Sequence, residues 1–198
     1  MFNLLISTGA IIGIVVAAVV VLLVIIIVCC CVSTRNKFVK MRNSCEEAWA
    51  TIDVYLQKRY DLIPNLVETV KGYAKHESET LQNVIAARNA AMAAKGGTEA
   101  KINAENALTS SLRTLLNVVV EQYPQLQANT NFLDLQNQLK QIESELANAR
   151  KYYNANVKQF NTKIQMFPAS IIAGAMHLEK FAYYEIEEEA RKNVKVQF

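Results

Sequence analysis

Hydrophobic and polar positions change rhythm near residue 34. From Ala10 to Val32 nothing is more polar than Gly13 and the cysteines, and 16 of the 23 residues are Ile, Val or Leu. At ~1.5 Å per helical residue this run spans ~35 Å, more than the ~30 Å of a bilayer's hydrocarbon core. A cleaved signal peptide is the rival reading. It fails because no Lys or Arg precedes the apolar run, the run is too long, and no small-x-small cleavage site follows. Residues 1–34 therefore predict a single transmembrane anchor.

Beyond it, apolar residues recur at helical spacing. Phe38, Met41, Cys45, Trp49, Ile52, Leu56, Tyr60, Ile63, Val67, Val70, Ala74, Leu81, Val84 and Arg88 form one drifting stripe, interrupted near Glu77. Pro64 cannot donate to the Tyr60 carbonyl, so the helix either kinks there or restarts with Asp61 as its cap. The unbroken spacing from Ile52 to Val67 favours a kink. Gly72 is a second soft point, and Gly96-Gly97 reads as a stop and reversal.

Thr98 caps a second helix striped by Leu108, Leu112, Leu115, Val119 and Tyr123 and ended by Pro124. A third helix, capped by Asn129 or Asn131 and ended by Pro168, carries Phe132, Leu135, Leu139, Ile142, Leu146, Ala149, Tyr153, Val157, Phe160, Ile164 and Phe167. These steps are a heptad repeat with one stutter. Short connections make neighbouring helices antiparallel. Ala169–Phe198 reads as an apolar stretch, a short helix over about 183–192 and an extended tail, with Glu185, Glu187, Glu188 and Glu189 on a solvated face. The predicted fold class is all-α: an anchor over 1–34, then an elongated antiparallel helical bundle with coiled-coil-like packing over 35–198.

Charge adds a direction. The net of +3 is +4 at Arg35, Lys37, Lys40 and Arg42 and −1 over residues 43–198, where 17 basic side chains face 18 acidic ones. The flank Met1–Asn3 has no charged side chain. The positive-inside rule then places the bundle in the cytoplasm and the N-terminus outside. The four cations either contact anionic headgroups of the bilayer or only set topology. Gly9, Gly13 and Ala17, four apart, put small residues on one face of the anchor, where a second copy can pack closely. Cys29, Cys30 and Cys31 read as apolar filler at the reducing side. A bundle near neutrality carries no nucleic-acid field.

Candidate chemistry is sparse. His76 and His177 are the only histidines, and Thr80 stands where a His-Glu-x-x-His metal motif would need its second His. Cys45 lies on the apolar stripe and reads as a buried small hydrophobe, not a nucleophile. Gly96-Gly97 lacks the strand context of a phosphate loop. No catalytic residue, cofactor or metal is expected, and the chain reads as a structural or interaction protein, not an enzyme.

The run Glu46–Glu77, EEAWATIDVYLQKRYDLIPNLVETVKGYAKHE, resembles the signature of the LemA family. The likeness continues through VIAARN (84–89), VVEQYPQLQANTNF (119–132), ANARKYYN (147–154) and FPASIIA (167–173), and Met176–Tyr184 departs from the usual pattern. The resemblance implies a bacterial inner-membrane protein with one span and a cytoplasmic four-helix bundle, with no established activity or cofactor. Three motif blocks fall where corners are expected. There Arg59, Tyr60, Asp61, Pro64 and Asn65 either maintain a helix junction or face a protein partner. The expected role is a self-associating scaffold on the membrane. The alternative is a monomeric adaptor relaying an envelope signal to a cytoplasmic partner.

Overall fold

The computed structural model describes residues 8–73 and 78–185. Helix α1 (Thr8–Lys71) is a single helix of 64 residues, which at ~1.5 Å per residue is about 96 Å long. The apolar run and the first rod of the body thus share one backbone, with no break at residue 34. Among the described residues none buries the side chains of the run, whereas from Phe38 onward Cys45, Ile52, Leu56, Ile63 and Val70 are buried.

Pro64 does not restart the helix. The Tyr60 carbonyl that it leaves without an amide partner instead accepts a hydrogen bond from Arg88 Nε at 2.8 Å. Asp61 is a mid-helix residue that accepts from Gln57 Nε2 at 2.8 Å. The helix ends after Lys71, at Gly72-Tyr73, and α2 (Ser78–Ala93) begins beyond it. The stretch expected as one rod from 38 to 96 is therefore two. Glycine costs a helix ~1 kcal/mol relative to alanine, and the stripe offers no apolar side chain near Glu77 to offset it. Glu77 itself lies outside the described residues, as do Ala74 and His76.

The α2–α3 turn uses Gly97 at φ 70° and brings Gly96 so close to α1 that a Cβ there would collide with Trp49 Nε1. Thr98 then caps α3 (Glu99–Gln122), accepting from the Lys101 amide at 3.2 Å. A 3₁₀ turn (Pro124–Ala128) leads to α4 (Thr130–Gln165), capped by Asn129, which accepts from the Phe132 amide at 3.0 Å. The expected stripe of α4 is buried from Phe132 to Ile164 except for half-buried Leu135. Phe167 is the correction: the helix stops at Gln165 and this ring is 80% exposed.

Contacts give the direction of α4 against α1. Phe38 meets Phe160, Trp49 meets Tyr153 and Arg59 meets Glu143, so α1 and α4 run oppositely. Arg88 of α2 reaches the Tyr60 carbonyl of α1, and Lys101 of α3 reaches the Ala91 carbonyl of α2. Beyond Trp49 toward the anchor, α2 has already ended. Its place is taken by α5 (Ala169–Ala175) and an extended strap over 176–185.

Two asparagines of α4 hold that strap. Asn161 Oδ1 accepts from the Phe181 amide at 3.0 Å and its Nδ2 donates to the Phe181 carbonyl at 2.9 Å. Asn154 treats Tyr184 in the same way, at 2.9 and 3.0 Å. Seven helical residues rise ~10.5 Å and three extended residues ~10 Å, so the two clamps fall in register. The expected helix over about 183–192 is corrected in its described part, since Tyr183–Glu185 are not helical. Glu187, Glu188, Glu189 and the tail lie outside the described residues.

Candidate functional site

In the part of the body away from the anchor, charged groups replace apolar ones at the core. Lys101 and Glu105 occupy the inward stripe of α3 two turns and one turn before Leu108, and both are buried, Glu105 completely. On α1, Arg59 is only 2% exposed and Tyr60 4%. The Glu105 carboxylate accepts from Arg59 Nη2 on one oxygen and from the Tyr60 hydroxyl on the other. Lys101 Nζ lies 3.1 Å from Glu105 Oε1 and donates to the Tyr60 hydroxyl at 2.8 Å and to the Ala91 carbonyl at 2.6 Å.

The network extends to α4. Arg59 Nη1 donates to Thr109 Oγ1 at 3.0 Å and lies 3.5 Å from Glu143 Oε2. Glu143 Oε1 accepts from Arg150 Nη1 at 3.0 Å, and the Arg150 guanidinium sits 4.7 Å above the Tyr184 ring. Asp53, beside Gly96, completes a set of three cations and three carboxylates. Burial raises its pKa above the usual carboxylate value, against the pull of Lys101. Tyr60 is likewise pushed up, first by burial and then by Glu105, so its hydroxyl stays protonated and donates.

This arrangement ties every long helix and the strap to one point. Sliding α1 against α3 would separate Arg59 from Glu105 and leave both charges buried without that partner, which costs ~3–5 kcal/mol. A cleft of about 320 Å³ opens beside it between α3 and α4, lined by Arg59, Thr109, Leu112, Arg113, Lys140 and Glu143 among others. Chemically the centre offers ion pairs and protonated phenol, with Arg59 Nε, Arg150 Nε and the Tyr184 hydroxyl buried without a hydrogen-bond partner among the described residues. Among the described residues no group of three His, Cys, Asp or Glu side chains is placed to hold a metal. Cys45 is buried, and burial, followed by Glu46, pushes its thiol up to about 11.

The residues singled out from sequence fall in three places. Arg59 and Tyr60 are core residues within α1, so the helix junction expected there is absent. Asp61, Pro64 and Asn65 are exposed on the same helix, away from any junction. Arg35, Lys37, Lys40 and Arg42 are exposed just past the apolar run, and Arg42 pairs with Glu46 at 2.9 Å. Gly9, Gly13 and Ala17 lie open on the apolar run, where a Cβ at Gly13 would meet nothing within 4 Å. Sequence reasoning missed Lys101, Glu105, Arg150 and the asparagine clamps. The available signal was charge at inward positions: Lys101 and Glu105 continue the spacing of Leu108, Leu112 and Leu115.

A long apolar helix of membrane-crossing length, continued into a helical body sealed around buried ion pairs, defines an anchor-and-body protein. The profile of the LemA family matches residues 48–198, and the chain belongs to that family. It is 24% identical over 163 residues to Protein LemA of Metamycoplasma hominis, covering 82% of this chain and 74% of that protein. It is also 23% identical over 175 residues to magnetosome protein MamQ 2 of Paramagnetospirillum magneticum, and 22% over 174 residues to magnetosome protein MamQ of Magnetospirillum gryphiswaldense. These alignments cover 76% and 75% of this chain but 64% of each MamQ protein, so the chain spans less than two thirds of their length.

Proposed function

We propose that this is a single-pass inner-membrane protein whose cytoplasmic body is an antiparallel four-helix bundle with coiled-coil-like packing. On this reading it is not an enzyme and needs no cofactor; it self-associates and acts as a scaffold for the membrane or for partner proteins. The observation that carries the reading is the continuity of α1 from apolar run to core. A bundle joined to its span by unbroken helix holds a set distance from the bilayer, and lateral contacts between spans become lateral contacts between bundles. The cations at Arg35–Arg42 support a cytoplasmic bundle and offer contacts to lipid headgroups.

Cross-linking in native membranes and native mass spectrometry in mild detergent test the scaffold. Homo-oligomers are expected, and a strict monomer at cellular concentration would overturn it. Gly13→Leu should weaken assembly through the face that includes Gly9 and Ala17 without disturbing the chain's own fold, because no described residue packs there. Protease protection in spheroplasts tests the orientation: the bundle should resist digestion until the membrane is opened.

A further inference from the structure

The register between α1 and α4 places the far end of α4 at the edge of the apolar run. Phe38 packs on Phe160 with ring centroids 6.4 Å apart, and the two helices run oppositely. Each step past Phe160 therefore descends α1 by a step from Phe38. Met166 and Phe167 come level with the stretch from Cys31 to Arg35, where the apolar run gives way to cations.

What α4 and α5 present at that level is apolar and uncovered. Phe167 is 80% exposed, more than any other large hydrophobic side chain described, including those of the apolar run; Ile171 is 65% and Met166 51% exposed. On α5, Ala169 and Ala173 face the core and Ile171 faces away from it. Near the corner α4 carries Lys158 and Lys163, and no acidic residue stands between Leu146 and Leu178; the next, Glu179, lies beside Arg42 and Phe160. On α1 the first acidic residue is Glu46. Aromatic and aliphatic tips rimmed by lysines are the composition of an interfacial membrane contact.

We infer that the α4–α5 corner is a second membrane attachment, in which Phe167, Ile171 and Met166 enter the headgroup boundary of an anionic leaflet on the side where the span emerges. A lone helix leaves the body free to rotate and tilt about its axis. A second point of entry removes that freedom and sets which face of the bundle lies toward neighbouring copies. The inference rests on residues 10–32 being the span.

The test uses the full chain in vesicles of phosphatidylethanolamine and phosphatidylglycerol carrying brominated acyl chains, with tryptophan emission as readout. Trp49, the only native tryptophan, is a core residue ~25 Å along α1 from Val32 and supplies a background outside the quencher's reach. Phe167→Trp and, separately, Ile171→Trp should lose most of their added emission, as Leu22→Trp in the span does. Leu133→Trp, exposed at the opposite end of α4, should keep its own. If both corner variants are quenched no more than Leu133→Trp while Leu22→Trp is quenched, the second attachment is overturned and the span stands. An unquenched Leu22→Trp would overturn the span and the inference with it.

Discussion

The body has two halves that meet at Trp49, and they are sealed by different means. Beyond Trp49, away from the anchor, four helices close around ion pairs centred on Glu105. Toward the anchor, α1 and α4 are covered by an extended strap, held by amide clamps and rings: Trp49 on Tyr153 and Tyr184, Phe160 on Phe38 and Phe181. The difference lies in what each covering element can satisfy. A helix satisfies its own backbone and can bring charged side chains to the core, whereas an extended strap brings bare amides and carbonyls that α4 must pair.

The largest expected break in this comparison is Glu105→Ala. It leaves Arg59 and Lys101 buried beside a phenol, and should cost ~3–5 kcal/mol, read as a fall in the thermal unfolding midpoint of the whole body. Asn161→Ala should cost ~1–3 kcal/mol through the unpaired Phe181 amide and carbonyl. Its signature is local: hydrogen exchange should accelerate in the strap while α2 and α3 keep their protection.

Alkaline titration sharpens the contrast. Burial and Glu46 raise the Cys45 thiol from 9.0 to about 11, and burial and Cys45 raise the Tyr153 phenol from 10.0 to about 12. Both groups hold protons more tightly folded than unfolded, so their contribution is intact below pH 9 and falls as pH rises through 9 to 12. Melting midpoints measured across that range should decline, and Cys45→Ala should flatten the first part of the decline. The smallest effect is expected from Arg42→Gln, whose exposed pair with Glu46 is worth ~0–1 kcal/mol; a large loss of stability there would contradict the account of the anchor-side half.

Much of the fold was legible because helices announce themselves locally. The Ala10–Val32 run, the Thr98 and Asn129 caps, the stop before Pro124 and the α4 stripe all depend on neighbours within a turn or two. The exceptions show where locality ends. Pro64 could be read as a kink or a restart, since the group that satisfies Tyr60's carbonyl, Arg88, lies 28 positions away. Arg59 and Tyr60 looked like corner residues because nothing nearby in sequence names Glu105 as their partner. Asn154 and Asn161 looked like surface residues because their partners lie in an irregular strap with no periodicity of its own.

By itself, then, the sequence determined the helical class, the long apolar run, its charged boundary and most helix ends, because periodicity, capping and hydropathy act over a few residues. Only the tertiary structure decided that the apolar run and first rod are one helix, and that Arg59, Lys101 and Arg150 are buried around the single buried carboxylate of Glu105 and the half-exposed Glu143. It also decided that Phe167 faces outward at the level where the apolar run ends. Each of those outcomes depends on which residues from distant segments come within a few ångströms, and spacing along one chain does not encode that distance.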